Sequence, residues 1–210
     1  KSYEIVNLDK NVNLLLFYGK NEGAKKEEIN KIISNNKGRE VSNYDEKFIL
    51  ENNEIFFNEI LSKSLFNNEK IIIISRASDK FVKIVEELLT KDISDTLLII
   101  SADILEKKSK LRILFEKGKN LICVAFYPDT QQVLSKIALD FLRKKKITLS
   151  QININLIINR CNGEREFLKN ELNKIELFSL KGKKITTEDI LKLTNLTENY
   201  SVSELVDNCL

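Results

Sequence analysis

The chain has 210 residues, of which 42% are hydrophobic and 31% charged, a balance typical of a globular protein with a substantial core. Its 34 basic and 31 acidic residues give a net charge of +3, which is too mild to identify a nucleic-acid partner. The absence of histidine and the wide spacing of Cys123, Cys161 and Cys209 exclude Cys/His metal sites, His-activated nucleophiles and a disulfide framework.

The first half of the chain alternates short apolar runs with helical patterns. The first run, over 14–18, ends at Gly19 and is followed by a helical pattern over 25–34. Four more strands are predicted over 40–44, 70–75, 96–101 and 121–126, and helices over 51–63, 79–90 and 108–117. Because the strands are rich in Ile and Leu with little alternation, we expect helices on both of their faces. The predicted fold class is therefore α/β, with a parallel five-stranded sheet and flanking helices.

Beyond the chain's only proline, Pro128, the pattern becomes wholly helical. Helices are predicted over 131–144, 153–160, 164–178 and 187–194, and a further helix begins over 201–210. We therefore expect an α/β domain over 1–129 and a small all-helical domain over 130–210. Since the chain does not begin with Met and stops within a helical pattern, we expect the native protein to be longer.

The loop after the first strand has the length of a phosphate-binding loop but lacks much of its chemistry. A working G-x-x-x-x-G-K-[ST] loop needs glycines for close backbone approach, a lysine for charge and a hydroxyl for magnesium. The candidate loop residues are Gly19, Gly23 and Lys25. However, Ala24 replaces the second glycine, Lys26 replaces the hydroxyl residue, and Glu22 adds a negative charge.

The third predicted strand lacks a second part of a nucleotide site. It runs into Ser75 and Arg76, where an ATPase carries an acidic pair that holds magnesium and orients water. We therefore expect no ATP hydrolysis, no metal and no cofactor. The alternative is that Gly19 and Gly23 only turn the chain.

Two large apolar residues, Leu65 and Phe66, follow Ser64 at the predicted end of a helix and just before a strand. Earlier residues already supply the core-facing stripe of that helix, so this pair suggests a docking element. Burying both side chains in a partner's pocket contributes roughly 3 to 6 kcal/mol. The alternative is that both residues cap the local core.

Several short motifs occur in a familiar order. They are Leu15 to Gly19 with Glu22-Gly23, Ser64-Leu65-Phe66, Ser109-Lys110-Leu111-Arg112, Tyr127-Pro128-Asp129, Asn162-Gly163-Glu164-Arg165, Asn170-Glu171-Leu172 and Ile185 to Ile190. Through them almost the whole chain resembles the delta subunit of the bacterial DNA polymerase III clamp loader, a member of the AAA+ group. The chain departs from the family at Glu164, where Asp is common, and lacks the collar domain expected next.

The resemblance implies an AAA+-like sheet domain with a non-functional nucleotide site, followed by a helical lid domain. It also implies a subunit of the polymerase III complex without intrinsic activity, which binds the beta sliding clamp through Leu65 and Phe66 and helps to open it for loading onto primed DNA. Other clamp loader subunits, of the gamma/tau and delta prime types, would be its partners. Opening follows if the subunit binds the open ring more tightly than the closed one.

Weaker features carry further expectations. Two basic clusters are candidates for contact with the DNA backbone, namely Lys107, Lys108, Lys110 and Arg112, and residues 143–146. Solvated helix faces are the competing interpretation. Arg165 is expected to form a structural ion pair with Glu171 or Asp189, and Cys123 to lie in the core. No residue is assigned a catalytic role.

Two other classes of function stay open: a nucleotide-binding ATPase with an atypical loop, and a DNA-binding replication or repair module. Nucleotide-dependent thermal stabilisation would indicate the first, and oligonucleotide binding with a steep salt dependence the second. No apolar run approaches the length of about 18 residues that suggests a membrane span, and no signal peptide opens the chain. We therefore expect a soluble cytoplasmic protein with no membrane partner.

Overall fold

The computed structural model describes residues 12–61, 69–180, 182 and 185–194. The chain divides into two compact units, Lys1–Tyr127 and Pro128–Leu210. The described part of the first unit contains five strands and their crossover helices, and that of the second contains helices alone.

The first unit is built on a single parallel sheet. Its strands are β1 (Leu14–Tyr18), β2 (Glu40–Asp45), β3 (Lys70–Ala77), β4 (Thr96–Ala102) and β5 (Leu121–Ala125), arranged in the order β2-β3-β4-β1-β5. Every residue of β1 is buried, as its unbroken apolar sequence predicts for a strand covered on both faces. The predicted α/β fold class with five parallel strands is confirmed.

Helices cover both faces of this sheet. On one face α1 (Glu22–Asn35) packs against Leu15 and Phe17 of β1. The other face carries α2 (Glu46–Glu51), α3 (Asn53–Leu61), a 3-10 turn at Asp79–Phe81 followed by α4 (Val82–Leu88), and α5 (Lys110–Lys117). α1 and α5 therefore lie on opposite faces of the sheet.

The prediction of one helix over 51–63 is wrong, because two helices occupy this region. α2 begins early because the Asp45 side chain caps it, accepting a hydrogen bond of 3.0 Å from the N–H of Lys47. Asn52 separates α2 from α3, and its side-chain amide donates to the carbonyl oxygen of Phe48 at 2.9 Å. Asparagine favours such local bonds, which compete with a continuous helix.

The second unit contains α6 (Gln131–Lys145), α7 (Gln151–Arg160), α8 (Arg165–Ser179) and α9 (Thr187–Leu193). Apolar residues from all four helices form one core, including Leu134, Ile157, Leu172 and Ile190. The four predicted helices in 131–194 are present, with ends displaced by one or two residues. The further helix predicted over 201–210 lies outside the described residues.

None of the helices in the described part of the chain is both long and apolar enough to cross a membrane.

Candidate functional site

The loop between β1 and α1 leaves the carboxyl edge of the sheet through Gly19. This residue has φ +124°, and a Cβ at this position would clash with the carbonyl oxygen of Phe126. Its N–H donates to the carbonyl oxygen of Asp103 at 3.0 Å, which ties the loop to the end of β4. Gly19 therefore turns the chain, whereas Gly23 lies in the first turn of α1.

Asn21 occupies the space in which a phosphate-binding loop would present its backbone. Its side chain is buried, accepts a hydrogen bond of 3.0 Å from the N–H of Ala24 and donates one of 2.9 Å to the carbonyl oxygen of Tyr127. α1 consequently begins at Glu22, three residues earlier than the sequence pattern predicted, and a backbone donor at its N-terminus is already used. Sequence reasoning missed Asn21, although asparagine just before a helix is a recognised cap signal.

Lys25, the candidate phosphate-binding lysine, is turned into the protein. Its side chain is only 2% exposed, and its ammonium donates a hydrogen bond of 2.7 Å to the carbonyl oxygen of Ala102 at the end of β4. The carboxylate of Glu22, one turn earlier in α1, lies 2.5 Å from the same ammonium. The lysine charge is thus already paired by groups of the chain itself, which supports the expectation of a degenerate nucleotide loop.

The end of β3 also differs from that of an ATPase strand. Arg76 adopts a left-handed conformation with φ 58°, at a break in the register between β3 and β4. Its guanidinium contacts the Asp45 carboxylate at 2.5 Å, and this hydrogen bond lowers the pKa of Asp45. The neighbouring Ser75 hydroxyl donates to the carbonyl oxygen of Tyr44 at 3.0 Å. Both side chains at the position of the acidic pair therefore stabilise the β2–β3 edge.

Arg112, the last member of the first basic cluster, is held within the fold. Its guanidinium lies 5.0 Å from the centroid of the Tyr18 ring, and it donates to Glu116 at 2.7 Å and to the carbonyl oxygen of Leu105 at 3.2 Å. Only 16% of the side chain is exposed. By contrast, the other three members of the cluster are exposed, namely Lys107, Lys108 and Lys110. Arg112 thus organises this region, while the lysines face solvent.

The predicted clamp-binding residues Ser64, Leu65 and Phe66 lie outside the described residues. The described residues on either side are well anchored. Lys70, the first residue of β3, donates from its ammonium to the carbonyl oxygen of Glu59 in α3 at 2.8 Å. These anchors lie at the amino edge of the sheet, opposite to the β1–α1 loop.

In the second unit, the expectation that Arg165 pairs with Glu171 or Asp189 is wrong. Arg165 instead makes a two-pronged ion pair with Asp129, at 2.7 Å from Nε and 2.6 Å from Nη2. Glu171 pairs with Lys174, and Asp189 forms a capping box with Thr186 at the start of α9. Asp129 is the nearer partner because the turn at Gly163 brings the start of α8 next to it, with the Asp129 N–H donating to the Gly163 carbonyl oxygen at 2.9 Å.

A parallel sheet in the order β2-β3-β4-β1-β5 with a loop of phosphate-binding length after β1 defines an AAA+-like fold whose nucleotide loop is degenerate. The model of the family "DNA polymerase III, delta subunit" matches residues 15–126, more than half of the chain. The chain therefore belongs to the DNA polymerase III delta subunit family, and the resemblance found in the sequence is confirmed. No curated protein matches the sequence.

Solved structures share the fold at low sequence identity. Domain III of the replication initiation protein DnaA from Thermotoga maritima is 14% identical, with a TM-score of 0.56, over 92% of this chain and 88% of that one. A single-substitution variant of Thermotoga maritima RuvB is 15% identical, with a TM-score of 0.60, over 91% and 64%. The Bacillus subtilis DNA clamp loader delta protein is also 15% identical, with a TM-score of 0.50, over 93% of this chain. The matched region is 62% of that delta protein.

Proposed function

We propose that this chain is a clamp loader subunit that binds the beta sliding clamp and favours its open form without hydrolysing ATP. Family membership supports the clamp loader role. The observation that carries the non-hydrolysing part is the filled nucleotide loop, in which Lys25 is bound to Ala102 and Glu22 and in which Asn21 caps the helix. ATP would then act on partner subunits of the gamma/tau and delta prime types, in the cytoplasm, during loading onto primed DNA.

Clamp binding is assigned to Leu65 and Phe66. The segment that contains them starts at the end of α3 and leads into β3, and both of these elements are fixed to the sheet core by buried residues such as Phe56 and Ile72. A short apolar segment between two rigid anchors binds with little loss of conformational freedom in the rest of the domain. Its two large side chains would form the hot spot of the interface.

The test is a titration of the chain against the sliding clamp of the same organism. Leu65→Ala/Phe66→Ala should weaken binding by at least about 100-fold, since the two side chains contribute roughly 3 kcal/mol or more. Ile55→Ala is the matched control, because Ile55 is an apolar residue of α3 that is 58% exposed. Circular dichroism checks that each variant is folded. Unchanged clamp affinity in the folded double variant would refute the assignment.

A second measurement separates this proposal from an atypical ATPase. A protein that binds nucleotide is stabilised by it, so its midpoint of thermal unfolding rises with nucleotide concentration. We expect no change in Tm with Mg-ATP or Mg-ADP, because Lys25 and the first turn of α1 are already paired. A rise that disappears in Lys25→Met would instead favour the ATPase.

A further inference from the structure

The carboxyl edge of the sheet carries an exposed surface that clamp binding does not use. Tyr18 at the end of β1 pairs in register with Ala102 of β4 and with Ala125 of β5, so the segments that follow these three strands emerge side by side. We call the solvent-facing part of this region the carboxyl-edge surface, formed by Lys107, Lys108, Lys110 and Tyr127.

Tyr127 is an aromatic ring held at a fixed place but left open to solvent. Its side chain is 70% exposed. Its backbone is nevertheless fixed, because its carbonyl oxygen accepts from the buried Asn21 amide at 2.9 Å and the preceding Phe126 N–H donates to the carbonyl oxygen of Tyr18 at 2.7 Å. The Tyr127 side chain is also close enough to Tyr18 and Arg112 to act electrostatically on both. An exposed ring on a fixed backbone is suited to stacking against a planar partner.

The three lysines extend from the loop and helix start next to Arg112. Arg112 fixes this loop by its hydrogen bond to Leu105, and Ser109 closes it by donating from its N–H to the Glu106 carbonyl oxygen at 2.9 Å. Residues 103–119 carry six basic and three acidic side chains, so their excess of positive charge equals that of the whole chain. A local excess of this kind attracts phosphate groups.

We propose that the carboxyl-edge surface binds single-stranded nucleic acid, with Tyr127 stacking on an unpaired base and Lys107, Lys108 and Lys110 contacting phosphates. An exposed aromatic ring beside lysines is the combination that non-specific single-strand binders use. A duplex offers phosphates but no free base face, so it satisfies only half of this surface. The inference goes beyond the proposed function, because clamp binding is assigned to the opposite edge of the sheet.

The experiment is a fluorescence-anisotropy titration of a labelled oligothymidylate with the chain over a range of salt concentrations. Tyr127→Ala should weaken binding by about fivefold or more, with little change in the salt dependence, because it removes stacking. Lys107→Gln/Lys108→Gln should lower the slope of log K against log salt by roughly 1.4, because about 0.7 is lost per phosphate contact. The labelled duplex of the same length should bind more weakly, and Tyr127→Ala should not affect it.

Matched controls lie on the other face of the sheet. Lys31→Gln/Lys37→Gln removes the same charge from exposed positions in and just after α1, and should leave the salt slope unchanged. Tyr127→Phe keeps the ring and should bind the single strand as the unchanged chain does. All the positions changed here are exposed, and circular dichroism checks the fold of each variant.

Several outcomes would overturn the proposal. These are no single-strand binding at low salt, equal effects of the two lysine pairs, or full affinity in Tyr127→Ala. Loss of binding to an acidic protein partner, with DNA binding unchanged, would assign the surface to a protein contact instead. Clamp titrations of the same variants keep the two proposals apart: Tyr127→Ala should retain clamp affinity, and Leu65→Ala/Phe66→Ala should retain single-strand affinity.

Discussion

The ammonium of Lys25 donates a 2.7 Å hydrogen bond to the carbonyl oxygen of Ala102, and this contact joins the first turn of α1 to the end of β4. A buried ammonium is costly unless it is paired, and here Glu22 supplies the charge while Ala102 supplies an acceptor. A residue that is positioned to bind phosphate in an active loop has thus become part of the internal bonding of this fold.

We predict that Lys25 contributes to stability. Lys25→Met keeps the apolar stem but removes the bonds to Glu22 and Ala102, and should lower the free energy of unfolding by about 1 to 3 kcal/mol. Lys20→Met, at an exposed position of the same loop, should change it by less than about 0.5 kcal/mol. Urea unfolding followed by circular dichroism measures both. Equal stability of the two variants would show that the buried bonds are not stabilising.

Two glycines with positive φ should respond differently to the same substitution. Gly38→Ala places a Cβ in open space, so it should cost only the backbone strain of about 1 to 2 kcal/mol. Gly19→Ala adds a clash with the Phe126 carbonyl oxygen and should cost at least about 3 kcal/mol. The difference between the two unfolding free energies isolates the close approach of the loop to the chain after β5. A difference near zero would mean that the loop shifts to make room.

Asp79 should make the stability of the first unit dependent on acid pH. Its carboxylate accepts from the Ser109 hydroxyl at 2.6 Å and from the Leu111 N–H at 3.0 Å, and the hydrogen bond from Ser109 is the main cause of its lowered pKa. Because the pKa is lower in the folded state, this stabilisation is fully present above the unfolded pKa of about 3.9 and is lost as pH falls through the folded pKa.

Asp79→Asn tests this dependence. It should destabilise the protein by about 1 kcal/mol at pH 7, and the difference from the unchanged protein should shrink below pH of about 4. Asp103→Asn, at another exposed position of the first unit, is the control and should change stability by less than about 0.5 kcal/mol at pH 7. A difference that stays constant down to pH of about 3 would contradict the assigned role of the ionised carboxylate.

Cys123 and Cys161 should be unreactive in the folded chain. Burial raises the pKa of each thiol to about 11. At pH 8 about one thiol in a thousand is then ionised, against about one in four in an unfolded chain with a pKa of about 8.5. In a Cys209→Ser background, reaction with Ellman's reagent should be at least about 100-fold slower than in guanidinium. Rapid modification of one thiol in the native protein would contradict this.

The sheet could be predicted from sequence because its strands are unbroken apolar runs, such as Leu14 to Tyr18, that need cover on both faces. Strand order could not, since it depends on crossovers that leave no local pattern. The early start of α1 was missed because Asn21 is fixed partly by Tyr127, which is 106 residues away in sequence. The degenerate loop could be recognised from its residues, but the inward turn of Lys25 could not. The roles of Leu65 and Phe66 stay predictions.

The ion pair between Arg165 and Asp129 should stabilise the second unit through its two-pronged geometry. Arg165→Lys keeps the charge but can make only one of the two bonds, so it should cost about 1 to 3 kcal/mol in this largely buried setting. Arg143→Lys is the matched control, because the Arg143 side chain is 83% exposed and lies 3.9 Å from Asp140, and it should cost less than about 0.5 kcal/mol. Hydrogen exchange locates the effect: amides of α8 should lose protection in Arg165→Lys while those of β1 and β4 keep theirs. Equal loss in both units would mean that the pair supports the whole chain and not the second unit alone.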